Sequence, residues 1–379
     1  MDEPREHEDH LDAAVAEYLL RIDRGERVER QAFVAEHADC AQGLRAYFAS
    51  ADQIAQALSE PVPLPEHDVE LPAILGDYEL FERVGQGGMG TVYKARHTRL
   101  GRTVAVKVLT RDRRMAPEAV LRFRREIAVM GGLDHPNIVR AYDAREVGET
   151  HFLVTEFVDG LDLARRVRSE GPLPVAEACA VVRQAADGLS QIHRSGLVHR
   201  DIKPSNLMLS KEGIIKVLDL GLARLREGRD RGDELTSKFH VLGTADYLSP
   251  EQALDSHQAD ARSDIYSLGC TLYYLLVGKP PYGGGSGPRK ALAHRQQPIP
   301  SVRSDRRDVP EILDAVIQKM MAKLPENRQQ AMDQVIVELD ACLALLRSSG
   351  WRSFLVRCSG RLASAWHRVR AGLRRRRLP

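Results

Sequence analysis

The run LVHRDIKPSNLML, Leu197 to Leu209, holds an acid and an amide five positions apart, Asp201 and Asn206. Ten residues further on, KVLDLGLA sets a second acid, Asp219, after an apolar run and before Gly221. Oxygen donors of this kind suit a divalent cation, and a carboxylate beside them can take a proton from an attacking hydroxyl. Phosphoryl transfer from ATP asks for both, since it needs metal ligands and a group that orients the nucleophile. Asn206 and Asp219 are therefore the candidate metal ligands, and Asp201 is the candidate proton acceptor.

A loop and a cation upstream could serve the same chemistry. VGQGGMGTVYKA, Val84 to Ala95, contains G-x-G-x-x-G at Gly85, Gly87 and Gly90. Dinucleotide sites share that pattern, but there a helix must follow the glycines, because its N-terminus holds the pyrophosphate. Here Thr91, Val92 and Tyr93 follow. They are β-branched or aromatic, so the spacing predicts a strand and a hairpin tip. In TVAVKVL, Thr103 to Leu109, alternation puts Ala105 and Lys107 on one face and Val104, Val106 and Val108 on the other. A lysine buried beside alanine under a glycine flap calls for an anion, either phosphate oxygens or a carboxylate. An exposed strand lysine is the plainer alternative. Glu126 is the candidate carboxylate, at the edge of the stripe Val120, Phe123, Ile127 and Met130 on a predicted helix.

The elements that must carry these groups fall into two lobes. From Asp77 to about Val108 the runs are short and β-rich, and beyond Ala116 the pattern is mostly helical. An amphipathic helix marked by Val181, Ala185, Leu189 and Ile192 leads into the loop of Asp201. DIYSLGCTLYYLLVG, Asp264 to Gly278, is apolar on nearly every side and reads as a helix buried at the centre of a lobe.

From Tyr78 to Leu345 the sequence resembles the eukaryotic-like protein kinase family, in particular bacterial serine/threonine kinases. The elements that carry the resemblance stand in family order: GQGGMGTV, VAVK ending at Lys107, Glu126, HRDIKPSN, D-L-G at Asp219, and YLSPEQ around Glu251. It implies an α+β, bilobal protein-kinase fold, with a small β-rich N-lobe and a larger helical C-lobe. It also implies ATP and Mg²⁺ as cofactors. On this resemblance Val84, Gly85, Gln86, Gly87, Gly88, Met89, Gly90 and Thr91 form the lid over the phosphates. Val92 and Ala105 would roof the adenine and Met208 would floor it. Thr155 would be the gatekeeper, with the backbone of Glu156 and Val158 at the adenine edge. Lys107 would contact the α- and β-phosphates and pair with Glu126. Asp201 would position the substrate hydroxyl, Lys203 would steady the transferred group, and Asn206 and Asp219 would bind Mg²⁺.

The same resemblance makes the stretch from Asp219 to Glu251 an activation segment, with Thr236 and Ser237 as candidate phosphosites and Arg200 as their arginine partner. Thr244 and Lys203 favour serine or threonine as acceptor, and Glu251 with Arg328 resembles the buried ion pair of the large lobe. Leu220 and His199 fill apolar spine positions. Two departures from the family pattern are D-L-G for D-F-G and S-P-E for A-P-E, at Ser249. A protein serine/threonine kinase that autophosphorylates is thus expected. A pseudokinase scaffold is the alternative, against which stand the intact Lys107, Asp201, Asn206 and Asp219.

The flanks divide as a helical region over 1–60, a proline-rich linker over 61–76, a kinase domain over 77–345 and a basic amphipathic tail over 346–379. In the first, Leu11, Val15, Leu19 and Ile22, then Leu44, Phe48, Ile54 and Leu58, recur at helical spacing. His7 with His10, and His37 with Cys40, have H-x-x-H and H-x-x-C spacings compatible with zinc, although EHADC reads more simply as a helix-capping turn. In the tail, Trp351, Leu355, Cys358, Leu362, Trp366, Val369 and Leu373 recur at helical spacing opposite many arginines, and no acid follows Asp340. That pattern suits a helix on an anionic membrane surface. Net charge is only +2, which disfavours a protein that coats nucleic acid. Five scattered cysteines give no disulfide framework, and no apolar run reaches spanning length. A cytoplasmic protein, peripheral at the inner membrane surface, is expected.

Overall fold

The alternation in TVAVKVL becomes β4, Thr103–Leu109, near the middle of a six-stranded antiparallel sheet. The computed structural model describes residues 71–87, 90–109, 131–147, 150–220, 245–254 and 259–348, together with 14, 15, 17, 18, 21, 26, 28–45 and 48. The other strands of the sheet are β1 (Ala73–Leu75), β2 (Tyr78–Gly87), β3 (Gly90–His97), β5 (Ala141–Val147) and β6 (Thr150–Glu156), in the order β1-β2-β3-β4-β6-β5. One face carries Tyr78, Leu80, Tyr93, Ala95, Val104, Val106, Phe152 and Val154, the core of the small lobe. On the other face the register sets Lys107 between Val92 and Leu153, and Ala105 between Lys94 and Thr155. Leu153 belongs to the core of the large lobe, so this second face is where the lobes meet.

Beyond Ala116 the described chain is mostly helical, as the sequence pattern predicts, but β5 and β6 first return to the sheet. The reason is local. AYDAREV is a half-exposed edge strand with little alternation, and β6 buries only the short run Phe152 to Val154, which periodicity alone cannot assign.

The large lobe is built on α2 (Leu163–Glu170), α3 (Val175–Arg194), α4 (Pro250–Leu254), α5 (Ala261–Val277), α6 (Gly287–Gln296), α7 (Val302–Asp305), α8 (Glu311–Met320) and α9 (Met332–Ser348). A small sheet of β7 (Gly160–Asp162), β8 (Leu207–Ser210) and β9 (Ile215–Val217) lies beside them in the order β7-β8-β9. Val181, Ala185, Leu189 and Ile192 are all buried along one side of α3, as their spacing requires. Helix α5 is buried without interruption from Ser263 to Leu276. Its polar residues must then find partners, since an unpaired buried polar group is costly. Ser267 Oγ donates to the Tyr247 carbonyl at 2.7 Å, Thr271 Oγ1 to the Ser267 carbonyl at 2.9 Å, and Ser263 Oγ to Glu251 at 2.6 Å.

A separate small core gathers Ala14, Tyr18, Phe33, Val34, Cys40, Leu44 and Phe48, with Val15 packed against it. It surrounds α1 (Arg30–Glu36) and a 3-10 turn over Ala38–Cys40. His37 Nδ1 donates to the Phe33 carbonyl at 3.1 Å and Cys40 Sγ to the His37 carbonyl at 3.8 Å, so EHADC closes the end of α1. Leu11, Leu19, Ile22, Ile54 and Leu58, from the predicted stripes, lie outside the described residues.

The expected pair of Glu251 and Arg328 is present and fully engaged. The Arg328 guanidinium, 2% exposed, spends its five N–H groups on Glu251 Oε1 and Oε2 (2.7 and 2.8 Å) and on the carbonyls of Ala322, Arg262 and Lys323. Burial pushes the Glu251 carboxyl up, but the hydrogen bonds and charge of Arg328, with Ser263, outweigh it and hold the group below its ordinary range. A carboxyl held low in the folded state stabilises the fold above its unfolded value, and that contribution is lost as pH falls through the folded value. Glu251→Gln is therefore expected to cost roughly 3 to 5 kcal/mol at neutral pH, by stranding the arginine. Urea unfolding should show the gap from the native protein narrowing below about pH 4.

Candidate active site

The loop after α3 is fastened at each end before it presents any side chain. His199 is fully buried. Its Nδ1 accepts from the Asp201 N–H at 3.3 Å, which leaves Nε2 as the donor to the Leu218 carbonyl at 2.7 Å. Leu218 in turn donates its N–H to the Asn206 carbonyl at 2.9 Å. Both polar groups of the residue before Asp219 are thus tied to the loop of Asp201. From beneath, Asp264 accepts from the N–H groups of His199 and Arg200, each at 2.8 Å, and from His193 Nε2, also at 2.8 Å. Burial pushes the Asp264 carboxyl up, but His193 and the His199 N–H outweigh it and hold it below the usual carboxylate range.

These bonds hold a strained backbone. Arg200 has φ 66° and Asp219 φ 59°. A side chain in the left-handed region costs about 1 to 2 kcal/mol, and such residues persist where surrounding structure over-determines them. The strain falls on the residue before Asp201 and on Asp219 itself.

Asp201 is met from two sides. Lys203 Nζ lies 3.0 and 2.8 Å from its carboxylate oxygens, and Asn206 Nδ2 lies 3.1 Å from Oδ2. The same nitrogen donates to the Asp201 carbonyl at 2.7 Å. With its nitrogen committed, Asn206 offers its oxygen to a ligand, as a metal-binding amide must. Asp219 is the second oxygen donor singled out in the sequence. Among the described residues no group of three His, Cys, Asp or Glu side chains forms a metal cage. Two protein oxygens fit a hard cation that keeps waters and takes substrate phosphate, better than a metal needing a full protein cage.

Lys107 reaches this cluster from the other lobe. It is 8% exposed, and its Nζ donates to Asp219 Oδ1 at 2.8 Å. The alternative of an exposed strand lysine is thereby excluded. Glu126, its expected partner, lies outside the described residues. Asp219 is a partner for Lys107 that the sequence reading did not assign.

Above Lys107, the glycine-rich stretch is a hairpin. Gly85 pairs with Val92, Gln86 with Thr91 and Gly87 with Gly90, while Gly88 and Met89 lie outside the described residues. A strand follows the glycines, so the helix required by a dinucleotide fingerprint is absent there. Gly90 has φ 135°, and a Cβ on it would fall 2.0 Å from the Val108 carbonyl oxygen. Only glycine fits that contact.

The remaining candidates fall on or beside strands of the two sheets. Val92 and Ala105 share the lobe-facing side of the sheet, and Met208 sits on β8, opposite Asp162 and Lys216. Thr155 and Glu156 end β6, and Val158 follows them. The Glu156 N–H is taken by the Arg140 carbonyl at 2.8 Å, and its side chain by Lys216 Nζ at 2.9 Å. Val84 lies in β2 ahead of the glycines. Thr236, Ser237 and Thr244 lie outside the described residues. Sequence reasoning missed Asp264 and His193 as supports. The signal was available in principle, because an acid inside an otherwise apolar helix demands partners.

Residues 78–337 match the family model for the protein kinase domain. The chain belongs to that family. Over 274 residues it is 44% identical to serine/threonine-protein kinase PknB of Mycolicibacterium smegmatis, a match covering 71% of this chain and 43% of that protein. Over 275 residues it is 45% identical to PknB of Mycobacterium tuberculosis, with the same coverage of each. Among solved structures it resembles the Mycobacterium tuberculosis PknI kinase domain, with a TM-score of 0.56 and 26% identity over 72% of this chain and 98% of that one. These likenesses place it in the bacterial serine/threonine branch, with the bilobal kinase fold. The match spans less than half the length of the PknB relatives. Among the described residues no helix is long and apolar enough to cross a membrane.

Proposed function

We propose that this chain is a protein serine/threonine kinase that transfers the γ-phosphoryl group of ATP to serine or threonine hydroxyls of proteins, including its own activation segment. The observation that carries the reading is the convergence of Asp201, Lys203, Asn206, Asp219 and Lys107 from both lobes on one strained, buried framework. A scaffold that binds without transferring has no chemical use for all five.

The roles follow from the chemistry of each group. Asp201, oriented by Lys203 and Asn206, accepts the proton of the attacking hydroxyl. Lys203 is close enough to Asp201 to compensate negative charge gathered beside it. Lys107, already on an anion, can meet the α- and β-phosphates. Asn206 and Asp219 would hold Mg²⁺, which when bound neutralises charge on the phosphate oxygens. Val92, Ala105 and Met208 are the apolar candidates for the adenine, with Thr155 as gatekeeper and Glu156 and Val158 as the edge contacts. Residues Val84 to Thr91 would close over the phosphates. Lys203 and Thr244 favour serine and threonine as acceptors.

Asp201→Asn keeps the shape of the site and removes its proton acceptor. Phosphate transfer, followed by mass spectrometry of phosphosites after incubation with Mg·ATP, is expected to fall by about 10²- to 10⁴-fold. Nucleotide binding should persist by calorimetry. Transfer at the native rate would rule out the role given to Asp201.

For the flanks we propose the division read from the sequence, except that β1 takes 73–75 from the linker and α9 takes 346–348 from the tail, with residues 349–379 on the anionic inner face of a membrane. Their basic and apolar composition supports this, and Cys40, Cys179, Cys270 and Cys342, buried and outside any disulfide, suit a reducing compartment. The protein should co-sediment with vesicles containing phosphatidylserine and should lose that binding when residues 350–379 are deleted. Unchanged binding after the deletion would remove the tail from the account.

A further inference from the structure

S-P-E-Q, Ser249 to Gln252, departs from the family's A-P-E, and the departure has a structural counterpart. Ser249 is the residue before α4, Pro250 opens the helix, and Gln252 stands three residues after Ser249. The Gln252 N–H donates to Ser249 Oγ at 3.4 Å, and Gln252 Oε1 accepts from the Ser249 N–H at 3.3 Å and from Ser249 Oγ at 3.0 Å. This is the reciprocal capping box of S-x-x-Q. A glutamate at the fourth position would close the same box. The amide does something more, because its Nε2 donates to the Arg200 carbonyl at 2.9 Å. Each partner can play only one role, since the Ser249 N–H only donates and the Arg200 carbonyl only accepts. The orientation of the amide is therefore fixed by its surroundings.

Arg200 immediately precedes Asp201 and is the residue at φ 66°. Its N–H is held by Asp264 from α5, and its carbonyl by Gln252 from α4. Gln252 is 6% exposed and Ser249 fully buried, so water cannot readily replace either bond. We propose that Gln252 is a positioning residue for Asp201. It anchors the carbonyl of the strained residue before Asp201, while Ser249 holds the amide in the required orientation. Because α4 ends the segment that begins after Asp219, the aim of Asp201 depends on how the end of that segment is seated. The inference rests on the kinase reading for its catalytic consequence, but the anchoring can be measured without it.

Gln252→Met keeps the length of the side chain and removes all three hydrogen bonds of its amide. Ser249→Ala leaves the amide in place but removes its orienting hydroxyl. In Gln252→Met, kcat for peptide phosphorylation is expected to fall about tenfold, as for one lost buried hydrogen bond, with the KM for ATP within about twofold of native. Ser249→Ala should fall less in the native background and add little in the Gln252→Met background, since it acts through Gln252. Hydrogen exchange should accelerate in the peptide spanning 197–206 of Gln252→Met, with the peptide from α3 unchanged as a control for folding. Native kcat in Gln252→Met would overturn the proposal, and so would unchanged exchange in 197–206. Equal losses in both single variants that add in the double variant would also overturn it, because a helix cap alone would behave so. Failure of the kinase reading has a different signature, an inactive native protein, and in that event the exchange result alone decides the proposal.

Discussion

The site depends on one buried carboxylate. Asp264 lies wholly inside the large lobe and stays ionised because His193 and two backbone N–H groups face it. A lone charge there would be costly, and hydrogen bonds to a charged group are the stronger kind. Satisfying Asp264 therefore dictates where His199 and Arg200 must sit. Their N–H groups can meet it only if the loop takes the strained course that brings Asp201 to Lys203 and Asn206. The charge at the start of α5 is in this sense the foundation of the loop above it.

From that foundation the order spreads by short links. His199 passes it to Leu218, and Leu218 returns a bond to Asn206, so Asp219 emerges at a fixed place beside Asp201. Asp219 meets Lys107, which the alternation of β4 turns toward the large lobe between Val92 and Leu153. Each lobe contributes one half of this ion pair. The two carboxylates are then held in unlike surroundings. Asp201 is engaged by an amine and an amide, and Asp219 by a lysine from the facing sheet. That difference suits one to proton transfer and the other to phosphate and metal.

What was legible in the sequence was local. Period two in TVAVKVL identified the face of Lys107, the spacing of Val181, Ala185, Leu189 and Ile192 identified the buried side of α3, and the residues after Gly90 excluded a dinucleotide turn. What escaped was created by contact between distant segments. Phe33 and Val34 join Leu44 and Phe48 in a core that no single periodic stripe describes. Strand β5 is half-exposed at a sheet edge, so its composition carries little signal. Asp264 sat in plain view within an apolar run, but its partners lie 64 to 71 residues away. Gln252 completes a recognisable capping box, yet its bond to Arg200 spans 52 residues.

The most direct test replaces that carboxylate by its amide. Asp264→Asn keeps the volume and can keep one accepted bond, but its NH₂ group would face donors. Steady-state phosphorylation kinetics, with thermal unfolding to confirm a folded protein, should show kcat reduced by about 100-fold or more, as for two charge-assisted bonds disturbed. Nucleotide affinity should change much less. A folded Asp264→Asn protein with native kcat would contradict the claim that this buried charge sets the geometry of the site.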